Sequence, residues 1–236
     1  MTEWWTYRLS DFLMFSARTY RRLFELYNAE VWPLPALVCI GAALWIGIAW
    51  RRRRVSAQPS QVALVALTVA WLWVAWAFHL ERYATIHTAA PWFAGAFVLE
   101  ALLLAAVAWV GLHRRTSPAS GGRLGLGFGL LVLAIVGYPW LGVLLGRPLS
   151  QAEVFGIAPD PTAVGTLGVL LLTASGRNSA ARRRAVVMAW PIPLLWCGIS
   201  GATLWTMDAP EAPLLPALAV IAAAVAIGTR PSNAAS

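Results

Sequence analysis

Seven apolar runs leave this chain few ways to fold. They lie near 33–50, 61–80, 87–112, 124–146, 161–176, 185–207 and 213–229. Each is close to the roughly 20 residues that a helix rising 1.5 Å per residue needs to cross about 30 Å of hydrocarbon. The fifth is short and the seventh is rich in alanine. Segments cut off from water must satisfy their own backbone hydrogen bonds, so the predicted fold is all-α. The architecture expected is a polytopic membrane helical bundle of about seven transmembrane helices over 33–230, with a short tail at 231–236. With 59% hydrophobic and 12% charged residues, the chain is too apolar for an ordinary soluble domain.

The charges between the runs orient the bundle. All 18 basic residues are arginine. Twelve of them fall on one side of the alternation (51–54, 114, 115, 123, 177, 182–184 and 230) and six on the other. Nine of the ten acids accompany the six. The positive-inside bias then puts the N-terminus outside and the C-terminus in the cytoplasm, in a bacterial inner membrane. A soluble chain this basic would suggest nucleic acid; here arginines clustered between apolar runs imply topology, and no nucleic-acid partner is expected. Residues 1 to 30 lack the basic start, apolar stretch and cleavage site of a signal peptide.

Residues 1–32 form a separate amphipathic segment. Within SDFLMFSARTYRRLFELYN, a turn of about 100° per residue puts Asp11, Arg18, Arg22 and Glu25 on one narrow face. Leu13, Tyr20, Leu23, Phe24 and Tyr27 cover the other. Ser10 is the expected N-cap, with Asp11 suiting the positive end of the helix dipole. Too many charges interrupt this helix for it to span, so it should lie along the membrane surface or pack on the bundle.

Packing signals fit a bundle in lipid. Gly125 and Gly129 offer the fourth run a small-residue face, and Gly165 and Gly168 do the same in the fifth. Trp32, Trp50, Trp92, Trp140 and Trp205 sit near run ends, as an aromatic belt requires. Trp71, Trp73 and Trp76 fan around one helix, which favours packing over a stacking site. WPLPALVC at 32–39 echoes WPIPLLWC at 190–197; an inverted repeat or shared helix-entry chemistry would each produce it. Cys39 and Cys197 lie inside apolar runs and should be separate reduced thiols.

Most of the unusual chemistry lies in WLWVAWAFHLERYATIHTAAPWFAGAFVLE, residues 71 to 100. Two apolar helices meet there at a polar corner carrying His79, Glu81, Arg82, Tyr83 and His87. Glu100 follows His87 by roughly 20 Å of helix, near the bilayer midplane. An ionised carboxylate there costs several kcal/mol unless paired or wet. It should face other helices, either as a proton or cation site or as a neutral hydrogen-bonder. His79, Glu81 and His87 are conceivable ligands for a transition metal, but their spacing matches no helical ligand pattern and a third firm ligand is missing. Polar packing at headgroup level is the simpler reading. An outer vestibule shared with Arg18, Arg22, Glu25 and Asp208 is the intermediate one.

WWTYRLSDFLMFSARTYRRLFELYNAEVWP, the corner FHLERYATIHTAAPWF, and WPIPLLWCGISG followed by Asp208 give the chain a resemblance to a family. It resembles an uncharacterised family of bacterial multi-pass membrane proteins, a domain of unknown function whose members are sometimes labelled permeases. The resemblance covers nearly the whole chain and implies a fold and no reaction. The family pattern has Asn where this chain has His87, and more usually Gln at Glu100, which marks these two residues as features of this chain.

No nucleophile elbow, phosphate loop, HExxH or paired-carboxylate motif is present, so catalysis is the weaker class and no cofactor is named. The leading expectation is a small permease or channel-like protein, with the corner as entrance and Glu100 as midplane site. The alternative is a non-catalytic subunit that docks a membrane partner, or a second copy of the chain, through its aromatic N-terminal helix. A metal or haem enzyme using His79 and His87 is the third.

Overall fold

A computed structural model describes residues 15–52, 58–111, 121–173 and 179–228. Every regular element among them is helical. Ser10, Asp11, Leu13 and seven of the arginines used for topology (8, 53, 54, 114, 115, 177 and 230) lie outside the described residues, as does the tail at 231–236.

Helix α1 (Ala17–Glu30) starts at Ser16, whose side chain accepts a hydrogen bond from the Thr19 amide at 3.2 Å. Its buried face is Tyr20, Leu23, Phe24 and Tyr27, the apolar face read from the sequence. At Glu30 the chain bends by 84° into α2 (Leu34–Arg52). Too polar to enter hydrocarbon and too aromatic to stay in water, α1 folds back over the ends of its neighbours.

Helices α3 (Gln58–Trp73) and α4 (Ala90–Gly111) form an antiparallel pair joined through the corner. Directly after α3 the chain continues as a π-helical segment, Val74–Leu80. A second π segment, Leu133–Gly137, separates α5 (Gly122–Val132) from α6 (Tyr138–Leu144). Helix α7 (Pro159–Thr173) follows, then α8 (Ala180–Met188), α9 (Pro191–Thr206) and α10 (Leu214–Gly228).

The hub is α7. All of its residues except Leu172 are buried, against α3, α5, α9 and α10. Its threonines return their hydroxyls to the backbone one turn earlier, Thr162 to Ala158 at 2.7 Å and Thr166 to Thr162 at 2.8 Å, so they carry no unmet donor into the core. Thr166 also accepts from the Trp71 indole at 2.8 Å, and Trp71 rests on Phe97 at 4.2 Å between ring centroids. Packing accounts for Trp71, as expected.

The span count is met in part, and one packing expectation changes. Four helical stretches are long and apolar enough to cross a membrane on their own: Gln61–Thr85, Ala90–Gly111, Gly122–Leu144 and Ala180–Thr206. A fifth is reached if the bent α1–α2 pair counts as one span. The 15 residues of α7 reach only about 22 Å; enclosed by its neighbours, it has no need to match a bilayer. The glycine contact is also displaced. Gly125 and Gly129 face outward with nothing near them, and the close approach of α5 to α7 is made by Gly127 and Gly168. Gly165 does meet a neighbour, the Phe155 ring. Cys39 and Cys197 are free thiols.

Large apolar side chains remain exposed around the perimeter, among them Leu37, Leu44, Val65, Val69, Leu102, Leu195 and Val220. Trp92, Trp109, Trp140 and Trp205 are exposed near helix ends. A chain in water would bury such patches; a bilayer accepts them.

Candidate functional site

The corner and α1 are built as one unit. Arg82 donates to the Ala77 carbonyl, lies 4.4 Å from the centroid of the Tyr27 ring, and pairs through Nη2 with Glu30 at 2.7 Å. Tyr27 in turn accepts from the Trp73 indole at 2.7 Å. Tyr83 is buried among Phe15, Tyr20, Phe78 and His87. Between α1 and the corner runs a groove of about 480 Å³, lined on its polar side by Arg18, Arg22, Glu30, Glu81 and Arg82. Glu25, paired with Arg22, accepts from Gln151 at 3.2 Å. The vestibule residues Arg18, Arg22, Glu25 and Arg82 are therefore neighbours. Asp208 is exposed in the turn after α9, at a left-handed φ of 53°, and does not line the groove.

The two histidines of the corner have different fates. His87 is half-buried; its Nδ1 accepts from the Ala89 amide at 3.0 Å, and burial holds the imidazole below its ordinary pKa. His79 lies inside the bundle: it has no exposed surface, and neither ring nitrogen has a hydrogen-bond partner. Five aromatic rings enclose it, from Phe97 at 4.4 Å to Phe93 at 6.0 Å, with Trp196, Phe78 and Tyr83 between. The apolar periodicity of α3 continues through the π segment and carries His79 inward. Among the described residues, no three His, Cys, Asp or Glu side chains gather closely enough to hold a metal ion.

Glu100 faces other helices, as expected. It has no exposed surface, and neither carboxylate oxygen has a hydrogen-bond partner. It belongs to a buried stripe of α4 made of Ala90, Ala94, Phe97, Ala101, Leu104, Ala108 and Gly111. The small residues of that stripe let the neighbouring helices approach.

A second polar cluster escaped the sequence reading. Asp160, in the first turn of α7, is fully buried. It accepts from the Trp196 indole at 2.8 Å, the Ser200 hydroxyl at 2.7 Å and the Tyr138 hydroxyl at 3.3 Å. Trp196 and Ser200 are four residues apart on one face of α9, so a single helix face delivers two donors. The positive end of α7 adds to the same carboxylate. Beside this cluster, Arg147 Nη2 lies 2.7 Å from Glu211 Oε1. These two line a cavity of about 10 Å³ together with Tyr138, Gln151 and Glu153, room for one water molecule. A sequence signal for Asp160 existed: it stands between two prolines at the start of an apolar run, as isolated in its surroundings as Glu100.

At the other end of the bundle, Arg182 of α8 is buried against Gly111 and Gln61, with no partner for its guanidinium nitrogens. Thus Arg147, Glu153, Asp160 and Glu211 gather towards the corner end, while Arg182 belongs to the end formed by Gln61, Gly111 and α8.

Residues 17–235 match a family of unknown function (DUF6064). This chain belongs to that family. Membership accords with the resemblance read from the sequence as far as an uncharacterised family goes; the family's description names neither a membrane nor a permease. No curated protein and no solved structure matches the chain.

Proposed function

We propose that this DUF6064 protein is a small permease of the bacterial inner membrane, crossing it seven times with its N-terminus outside and its C-terminus in the cytoplasm. In this reading α1 lies along the outer surface, the groove it forms with Arg82 and Glu81 is the outer vestibule, and Glu100 is the midplane site. His79 stands between them.

Glu100 carries the argument. A carboxyl group placed in a helix bundle for structure alone would bond across to a neighbour. Glu100 has no partner for either oxygen. An unmet buried polar group costs about 1–3 kcal/mol, more if it is charged. His79 repeats the pattern one helix away. Two such groups inside one bundle are a liability unless a proton, ion or solute uses them. The π segments at Val74–Leu80 and Leu133–Gly137 favour the same reading, because such irregular turns concentrate at functional sites.

The test is flux in proteoliposomes loaded with a pH-sensitive dye, comparing the parent with Glu100→Gln. The permease reading expects normal thermal stability in the variant and loss of proton- or cation-dependent flux. Equal flux in both proteins assigns Glu100 to structure and removes the reading.

A partner-docking subunit is the second reading, and the structure changes its form. The aromatic face of α1 is spent on the chain's own corner. A membrane partner or second copy would meet the groove-side edge of α1 instead, where Arg18, Arg22 and Leu26 are exposed. A stoichiometric partner that is lost with Leu26→Glu would favour this reading.

A further inference from the structure

We propose that Glu153 is the acceptor of a proton-binding site at the corner end of the bundle, reached through the cavity it shares with Arg147 and Glu211 and bounded inside by the Asp160 cluster. The site does not depend on the permease reading and involves neither Glu100 nor His79.

Count the charges that face each other there. Three carboxyl groups, Glu153, Asp160 and Glu211, meet one guanidinium, Arg147. Asp160 is satisfied by three donors and Glu211 sits against Arg147. Glu153 has neither: its Oε2 is enclosed and has no partner, although the residue as a whole is half-buried. The Glu211 side chain is only 6% exposed, yet its Oε2 is also unpartnered and lines the same cavity. Enclosed oxygens of two carboxyl groups thus border a space that admits one water.

That size selects the ligand. A space of about 10 Å³ excludes an organic solute. Arg147 on its wall repels a metal ion, and the carboxylates are too dispersed to coordinate one. A proton carried by water meets every constraint. Burial pushes the Glu153 carboxyl well above its usual range, Asp160 adds to the effect, Arg147 opposes it and Glu211 adds again. Two phenols also face Glu153, those of Tyr138 and of Tyr20 of α1, the latter raised first by burial and then by Asp160 and Glu153. Tyr138 belongs to both halves of the site: it lines the cavity and donates to Asp160. A change in charge at Glu153 therefore reaches the Trp196 indole through two hydrogen bonds on Asp160.

Infrared difference spectra of the full-length protein in detergent, between weakly acidic and alkaline buffer, test the proposal. The parent should show the carbonyl stretch of a protonated carboxylic acid that disappears on alkalinisation. Glu153→Gln should lose that band, whereas Glu100→Gln should keep it. Asp160→Asn should keep the band but lower its proton affinity about tenfold, since one neighbouring negative charge is removed. It remains informative if Glu153→Gln fails to fold. An unchanged band in Glu153→Gln, or an unshifted titration in Asp160→Asn, overturns the proposal. So does a titration that sodium displaces by competition, which would make the ligand a metal cation.

Discussion

Replacing Gly168 by alanine should destabilise the bundle, and replacing Gly125 or Gly129 should not. A Cβ on Gly168 would stand 2.8 Å from the Gly127 carbonyl oxygen, 3.2 Å from Leu131 Cγ and 3.3 Å from Leu130 Cβ. Comfortable non-bonded contact begins near 3.5 Å, so the shortfall against a backbone atom is about 0.7 Å. A carbonyl in a helix cannot swing aside, and α5 must move off α7 as a body. Overpacking of this kind costs about 1–3 kcal/mol. At about 2–4 °C per kcal/mol for a chain of this size, Tm should fall by roughly 2–12 °C. Gly127→Ala should also lower Tm, because its Cβ would stand 2.8 Å from Leu172 Cγ and 3.0 Å from the Gly168 carbonyl oxygen. Gly125→Ala and Gly129→Ala meet nothing within 4 Å and should leave Tm unchanged. Thermal unfolding in detergent, followed by tryptophan fluorescence, ranks the four variants. Equal melting of Gly168→Ala and the parent would refute the contact, as would a comparable loss in Gly125→Ala.

Three further outcomes follow from the same packing. In a background lacking Cys39 and Cys197, a cysteine at exposed Ser150 should react with an impermeant reagent from outside intact cells and one at exposed Arg183 should not; equal labelling ends the seven-pass orientation. Thr166→Val should lower stability by about 1–3 kcal/mol, since it strands the Trp71 indole N–H in the core; an unchanged Tm would show that another acceptor replaces it. Because Glu153 binds its proton more tightly folded than unfolded, stability should fall as pH rises above the ordinary carboxyl value of 4.5, where only the unfolded chain ionises. The slope is at most about 1.4 kcal/mol per pH unit for one proton, and Glu153→Gln should flatten it in a series of melts across pH.

Much of the fold was legible in the chain. Apolar runs, arginine clusters and a 3.6-residue period are local quantities, and they prescribed an all-helical bundle, a surface-seeking α1 with Tyr20, Leu23, Phe24 and Tyr27 inward, and tryptophans at helix ends. Burial of Glu100 was legible for the same reason: a lone acid in an apolar helix must turn towards its neighbours, whichever these are.

What local patterns could not supply was which faces meet. Gly125, Gly127 and Gly129 are equivalent as a pattern, and only the rotation of α5 against α7 selects Gly127. The shortness of α7 looks like a weak span in sequence; in three dimensions it marks the helix that its neighbours enclose. Asp160 reads as a surface acid at the end of a run until α6 and α9 bring Tyr138, Trp196 and Ser200 to its oxygens. His79 reads as part of a polar corner until the π segment and five rings close over it. Hydropathy and periodicity are properties of one segment, so they determine what must be buried. The partner of a buried group comes from residues tens of positions away, and only tertiary packing decides it.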